Sequence, residues 1–179
     1  MWAFNIVVTM ASGGRYHHLM AELEAHGEFH RTEFLGVLLG RVADVADFLE
    51  TVRAARELSV IAFQDLGRVV PVERTFTFRT EEFLERVCAT VAPWAGELAG
   101  GRFYVRLERR GHKGQIVSPE AERAIDAFIV QESAKSGTAA RVDFEDPDAV
   151  IAVETVGDRC GVGLLSRAQL ERYDFVRVS

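Results

Sequence analysis

The residues of this chain whose types and spacing could do chemistry crowd into one stretch. Residues 102–114 hold Arg102, Arg106, Arg109, Arg110 and Lys113 against one acid, Glu108, and His112 adds a further donor. The stretch alternates as an extended strand does. Phe103, Val105 and Leu107 point one way, and Arg102, Tyr104 and Arg106 point the other, with Arg110 on the same phase. A guanidinium can offer a phosphate two parallel N–H donors, and an aromatic ring set among such groups gives a base a surface to stack on. Gly111, His112, Lys113 and Gly114 follow as a glycine-bounded loop. The pattern suits a nucleic-acid backbone. The alternative, on the residues alone, is a solvated strand face whose arginines are paired with acids. The loop spells the GXXG of a KH domain but follows a strand instead of joining two helices. It also lacks the Gly-Lys-Ser/Thr of a nucleotide-binding P-loop.

Other chemistry is thinner. His26 and His30 are four apart, but Gly27 should break a helix between them, so no metal pair is expected there. Asp143, Glu145, Asp146 and Asp148 crowd a turn, and turn chemistry accounts for Asp146 and Asp148. Cys88 and Cys160 stand alone in apolar segments, as buried thiols of a reducing compartment do. Neither a Ser-His-Asp nor a Cys-His signature is present. The expectation is a non-catalytic protein with no cofactor and no metal.

These residues sit in a chain of 179 with 48% apolar and 27% charged residues, a globular composition. The formal net charge is −6, and 19 of the 21 basic residues are arginine. The acidity is unevenly spread: residues 1–100 carry −5 and residues 101–179 only −1. It therefore belongs to the first half and does not veto a local basic stripe in the second. No stretch approaches the roughly 20 apolar residues of a membrane-spanning helix, and the N-terminus lacks the basic start of a signal peptide. A cytoplasmic protein is expected, with neither membrane nor DNA as a partner.

The elements that must position the basic stretch can be read from periodicity. Residues 2–10 read as a strand, 15–26 as a helix, 29–34 and 36–42 as a hairpin around Gly36, 43–57 as a helix and 59–66 as a strand. That order, βαββαβ, predicts a ferredoxin-like unit over residues 1–76. Residues 67–79 read as a connector with some extended character, because Pro71 argues against a central strand there. A mixed-sheet α/β unit is expected over 77–179. It comprises a helix capped by Thr80, the basic strand 102–110, a helix opened by Ser118-Pro119-Glu120, a short strand at 141–144, and a buried strand from Ala149 to Val153. A strand at 159–165, a short helix at 166–172 and a strand at 175–178 complete it. The fold class is α/β of the α+β kind.

The second half resembles a known family. The strings FYVRLERRGHKG, SPEAERAIDAFIV and VDFEDPDAVIAVETVGDRCGVGLL are similar to the THUMP domain. The most telling part is the acidic turn Asp146-Pro147-Asp148 running into the apolar strand Ala149 to Val153, then Cys160-Gly161-Val162-Gly163. The resemblance covers roughly residues 77–179. It implies a THUMP domain behind a ferredoxin-like one, in the manner of stand-alone tRNA-binding adaptors of tRNA cytidine acetyltransferases, with no catalytic domain expected after Ser179. It implies further that the pair binds the acceptor stem and 3′ CCA end of tRNA for a modifying enzyme. The residues expected at the RNA are Arg106, Arg109, Arg110, His112 and Lys113, supported by Arg102 and Tyr104. Arg123, Lys135, Arg141 and Arg159 would extend the surface. Two other readings remain: a protein-interaction module carried by the acidic first half, and a small-molecule sensor.

Overall fold

Alternating apolar residues in the first 71 positions build an antiparallel sheet. The computed structural model describes residues 2–179. Strands β1 (Ile6–Met10), β2 (Glu28–Arg31), β3 (Val37–Arg41) and β4 (Leu66–Pro71) lie in the order β2-β3-β1-β4. Helices α1 (Tyr16–Glu24) and α2 (Val45–Leu58) are the crossovers. The first buries Leu19 and Leu23. The second starts where the Asp44 carboxylate accepts the Asp47 N–H at 2.8 Å, and it buries Phe48, Leu49 and Val52. Gly36, at φ +73°, makes the β2–β3 turn.

The last strand of this sheet begins where residues 59–66, read from the sequence as the strand, end. Residues 59–65 form turns that expose Val60 and Ile61, and Phe63 turns inward with φ +52°. The strand is Leu66–Pro71 instead, because Val69 and Val70 pair with Val8 and Val7. Pro71 ends it at the edge of the sheet, where a missing N–H is tolerated. The stretch expected as a connector thus holds two strands of different sheets, β4 and β5 (Arg74–Thr77).

The second sheet has the order β5-β9-β8-β6-β7. It adds β6 (Arg102–Glu108), β7 (Arg141–Val142), β8 (Ala149–Val156) and β9 (Arg159–Ser166), with β6 parallel to both neighbours. Helices α3 (Phe83–Val91), α4 (Ala95–Leu98) and α5 (Ser118–Ala134) cover one face, and α6 (Arg167–Arg172) follows β9 through a Ser166/Gln169 capping box. Thr80 does not cap a helix: a 3-10 turn, Thr80–Glu82, precedes α3. Ser118 is the first helical residue and Val117 the cap position. Residues 175–178 form no strand, only a bridge between Val69 and Val176.

The two sheets share a core. Every residue of β8 is buried. Ala149, Ile151 and Val153 pack with the helices, while Val150, Ala152 and Val156 pack with the first sheet. Gly163 allows the close approach, since a Cβ there would overlap the Pro71 carbonyl oxygen. Tyr173, Phe175 and Val176 return to the same core, and Val69 N–H donates to the Phe175 carbonyl at 2.8 Å. The α+β class expected from the sequence is the one observed.

Candidate nucleic-acid interface

Strand β6 keeps the alternation read from its sequence, with Phe103, Val105 and Leu107 buried and Arg102, Tyr104 and Arg106 half-buried. It is nearly an edge. β7 pairs with it only at Arg102 and Phe103. Beyond that point the free amides are taken by helix α5. Asp126 Oδ1 accepts the Val105 N–H at 3.1 Å, and Glu122 Oε1 accepts the Leu107 N–H at 2.9 Å. Two acids four apart lie on one helix face, so a single helix satisfies alternate amides of the strand and blocks further strand pairing.

That arrangement has a pH signature. Burial is the main influence on Asp126; its carboxyl is pushed up to about 6, against the Val105 hydrogen bond that favours the anion. The native chain then holds a proton that the unfolded chain has lost between about pH 4 and pH 6, so stability falls as pH rises through that window. Asp126→Asn keeps an acceptor for Val105 and removes the buried charge. It should raise stability at pH 8 by about 1 kcal/mol, water on one side of the carboxylate limiting the gain, and flatten the fall. Urea unfolding at pH 4 and pH 8 measures this.

The cations divide into paired and free. Arg110 is a correction to the sequence reading. It lies past the strand's end and is buried, with Nη1 donating to Glu154 Oε2 at 2.5 Å and Nη2 donating to Thr9 Oγ1 at 3.3 Å. It faces the core between the sheets, not solvent. Arg102 pairs with Asp146 and Asp148, which Arg167 also contacts. Its hydrogen bonds bring the Asp148 carboxyl down to about 2. Arg159 pairs with Glu33 at 2.6 Å and Lys135 with Glu132 at 2.8 Å. His112 has only 13% of its side chain exposed and φ +52°. Its Nε2 lies 3.2 Å from the Gly157 carbonyl and 3.0 Å from Asp158 Oδ1, and its Nδ1 lies 3.0 Å from the Thr80 hydroxyl. It fastens the loop to the β8–β9 turn.

Arg106, Arg109, Lys113, Arg123 and Arg141 have no carboxylate partner among the described residues. Lys113, Arg123 and Arg141 are exposed, and Arg109 is half-buried, with its guanidinium donating to the Gly111 carbonyl. Arg106 sits 5.6 Å over the Tyr104 ring, its Nε buried and without a hydrogen-bond partner. Tyr104 in turn lies 5.3 Å from Phe144, which is 61% exposed. Phe144 and Arg123 line an apolar hollow with Ala127, Val130 and Val142. The sequence reading missed Phe144. Its signal was a large aromatic residue inside an acidic turn, Asp143 to Asp148, where apolar side chains are otherwise out of place. It also missed Glu122 and Asp126, four apart at the start of the same helix. His26 and His30 go separate ways: His26 stacks near Phe48 and Phe63, and His30 bonds Glu28.

An antiparallel βαββαβ sheet joined through a shared core to a mixed sheet, with cations that lack carboxylate partners on β6, α5, β7 and the loop after β6, defines a two-sheet α+β protein. Residues 78–165 match the model of the THUMP domain, so the chain carries a THUMP domain across most of the second sheet. A sequence comparison with curated proteins gives no match. Among solved structures, the chain is similar to PH1313 from Pyrococcus horikoshii (11% identity, TM-score 0.64, covering 92% of this chain and 55% of that one). It is similar to TrmN from Thermus thermophilus (20%, 0.63, 90% and 45%). A 4-thiouridine synthetase in complex with RNA and bound ATP matches at 14%, with TM-score 0.58 and coverage of 92% and 42%. At these identities the likeness is one of fold, and the chain spans about half the length of these structures. No described helix is long and apolar enough to cross a membrane.

Proposed function

We propose that this chain is a non-catalytic tRNA-binding protein that takes the acceptor stem and 3′ CCA end and presents the tRNA to a modifying enzyme such as a cytidine acetyltransferase. The observation that carries the reading is a set of cations without carboxylate partners on a THUMP domain: Arg106 over the Tyr104 ring beside Phe144, Arg123 in the hollow that Phe144 lines, Arg141 on β7, and Arg109 and Lys113 in the loop after β6. Cations without carboxylate partners are the ones whose charge is available to phosphates, and binding then releases the counterions condensed on the RNA. An exposed ring beside arginines gives an unpaired base a stacking surface, as single-stranded ends require. A 4-thiouridine synthetase that shares this fold was captured in complex with RNA, which supports RNA as the ligand class. A partner protein has a surface to meet on the other unit, where Leu58, Val60 and Ile61 project 63–94% exposed at the end of α2.

Titrating labelled tRNA with the protein at low salt tests the reading. Saturable binding is expected, and it should outcompete heparin of equal charge concentration. Equal affinity for tRNA and heparin, or no binding, contradicts it and leaves the protein-interaction reading.

A further inference from the structure

One cluster of titratable side chains lies apart from the strand edge, on the first sheet's side of the molecule. His18 and Glu22 stand four apart on the unbroken helix α1, so both project from one face. Asp65 comes up to them from the turn that leads into β4. The donor atoms His18 Nδ1, Glu22 Oε1 and Asp65 Oδ2 all lie within 4.8 Å of one another. We propose that His18, Glu22 and Asp65 form a binding site for a divalent transition metal ion of the zinc type.

Two features distinguish this group from a surface ion pair. Each carboxylate is held by one oxygen and aims the other at a common point. Asp65 Oδ1 accepts the Arg15 backbone N–H at 3.0 Å, leaving Oδ2 facing His18 at 2.7 Å. Glu22 Oε2 accepts the Phe63 N–H at 2.8 Å, leaving Oε1 facing His18 at 3.4 Å. Backbone donors that hold the outer oxygen fix the orientation of a carboxylate that ligates a metal. Glu22 Oε1 is also buried with no hydrogen-bond partner, its nearest cationic group being His18 Nδ1 at 3.4 Å. A metal ion supplies what it lacks.

The distances suit the ion. Zinc ligands at about 2.0–2.2 Å in a tetrahedron stand about 3.4 Å apart. The His18–Glu22 separation already has that value, and the His18–Asp65 contact opens by under about 1 Å when the ion replaces the proton between them. The Arg15 guanidinium, 3.4 Å from Asp65 Oδ2, is 59% exposed and free to swing away. His18 is 42% exposed, so the fourth position opens to water. The imidazole, two carboxylates and a solvent position are a borderline-hard donor set that suits zinc, cobalt or manganese and disfavours a soft, thiolate-seeking ion.

Isothermal titration of the untagged chain with zinc chloride tests the site, with cobalt absorption as a second readout. One zinc per chain is expected. His18→Ala and Glu22→Gln should each weaken binding at least tenfold, and cobalt should give the intense visible bands of a four-coordinate site that both variants lose. Glu22→Gln retains an acceptor for the Phe63 N–H, so its thermal melt without metal should match the wild type. His17→Ala, on the neighbouring exposed residue, should bind as the wild type does. Absence of saturable binding, or binding that survives His18→Ala, overturns the proposal.

Discussion

Arg110→Ala should cost about 3–5 kcal/mol of folding stability, read by urea unfolding at neutral pH. Arg110 and Glu154 are both buried and meet at 2.5 Å. Burial pushes the Glu154 carboxyl up, and the adjacent guanidinium charge opposes that push. Without Arg110 the carboxylate keeps its desolvation cost and loses the charge that offsets it, so it takes a proton or the two sheets part to let water in. The pair also ties the units together. Arg110 Nη2 donates to Thr9 of the first sheet, and the Arg110 N–H donates to the Thr155 hydroxyl at 2.9 Å. An apolar pair, Arg110→Met with Glu154→Leu, should recover most of the loss, because neither side is then left charged. A loss below about 1 kcal/mol in Arg110→Ala would mean that water already reaches Glu154. Charge reversal at Arg110 is consequently no probe of RNA contact: it would place a carboxylate against Glu154 in the core and unfold the chain.

The second large effect is on RNA affinity. Lys113, Arg123 and Arg141 are exposed and free of carboxylate partners, so the fold does not need them. Replacing all three with glutamate should leave the urea midpoint within the range of ordinary surface changes, about 0.5 kcal/mol. The same protein should lose tRNA affinity by about 100-fold or more at about 0.1 M salt, since three phosphate contacts become repulsions. Reversing Arg102 or Arg159 instead should have a smaller effect on affinity, because Asp146, Asp148 and Glu33 already take those charges. Fluorescence anisotropy with labelled tRNA reads both comparisons.

The local features were legible in the sequence because they are periodic. Alternation at Phe103, Val105 and Leu107 placed β6, and Ser118-Pro119-Glu120 opened α5 to within one position. The apolar run Ala149 to Val153 announced a strand buried on both faces. What was not legible depends on partners far away in the chain. Arg110 and Glu154 are 44 residues apart, and Arg159 and Glu33 are 126 apart. No local pattern tells a paired arginine from a free one. The apolar Val60 and Ile61 read as strand for the same reason. Only the register of Val69 and Val70 against β1 decides that the strand comes later and leaves those two side chains outside.

The salt dependence of tRNA binding, measured from about 50 to about 200 mM salt, bears most directly on the central claim that the cations without carboxylate partners on β6, the loop after it, α5 and β7 hold RNA backbone phosphates. With up to five such cations, the wild type should show a slope of log association constant against log salt between about −3 and −5, and the Lys113, Arg123 and Arg141 triple variant should lose about three of those charges' worth of slope. A wild-type slope near zero, or a triple variant with the wild-type slope, would contradict it.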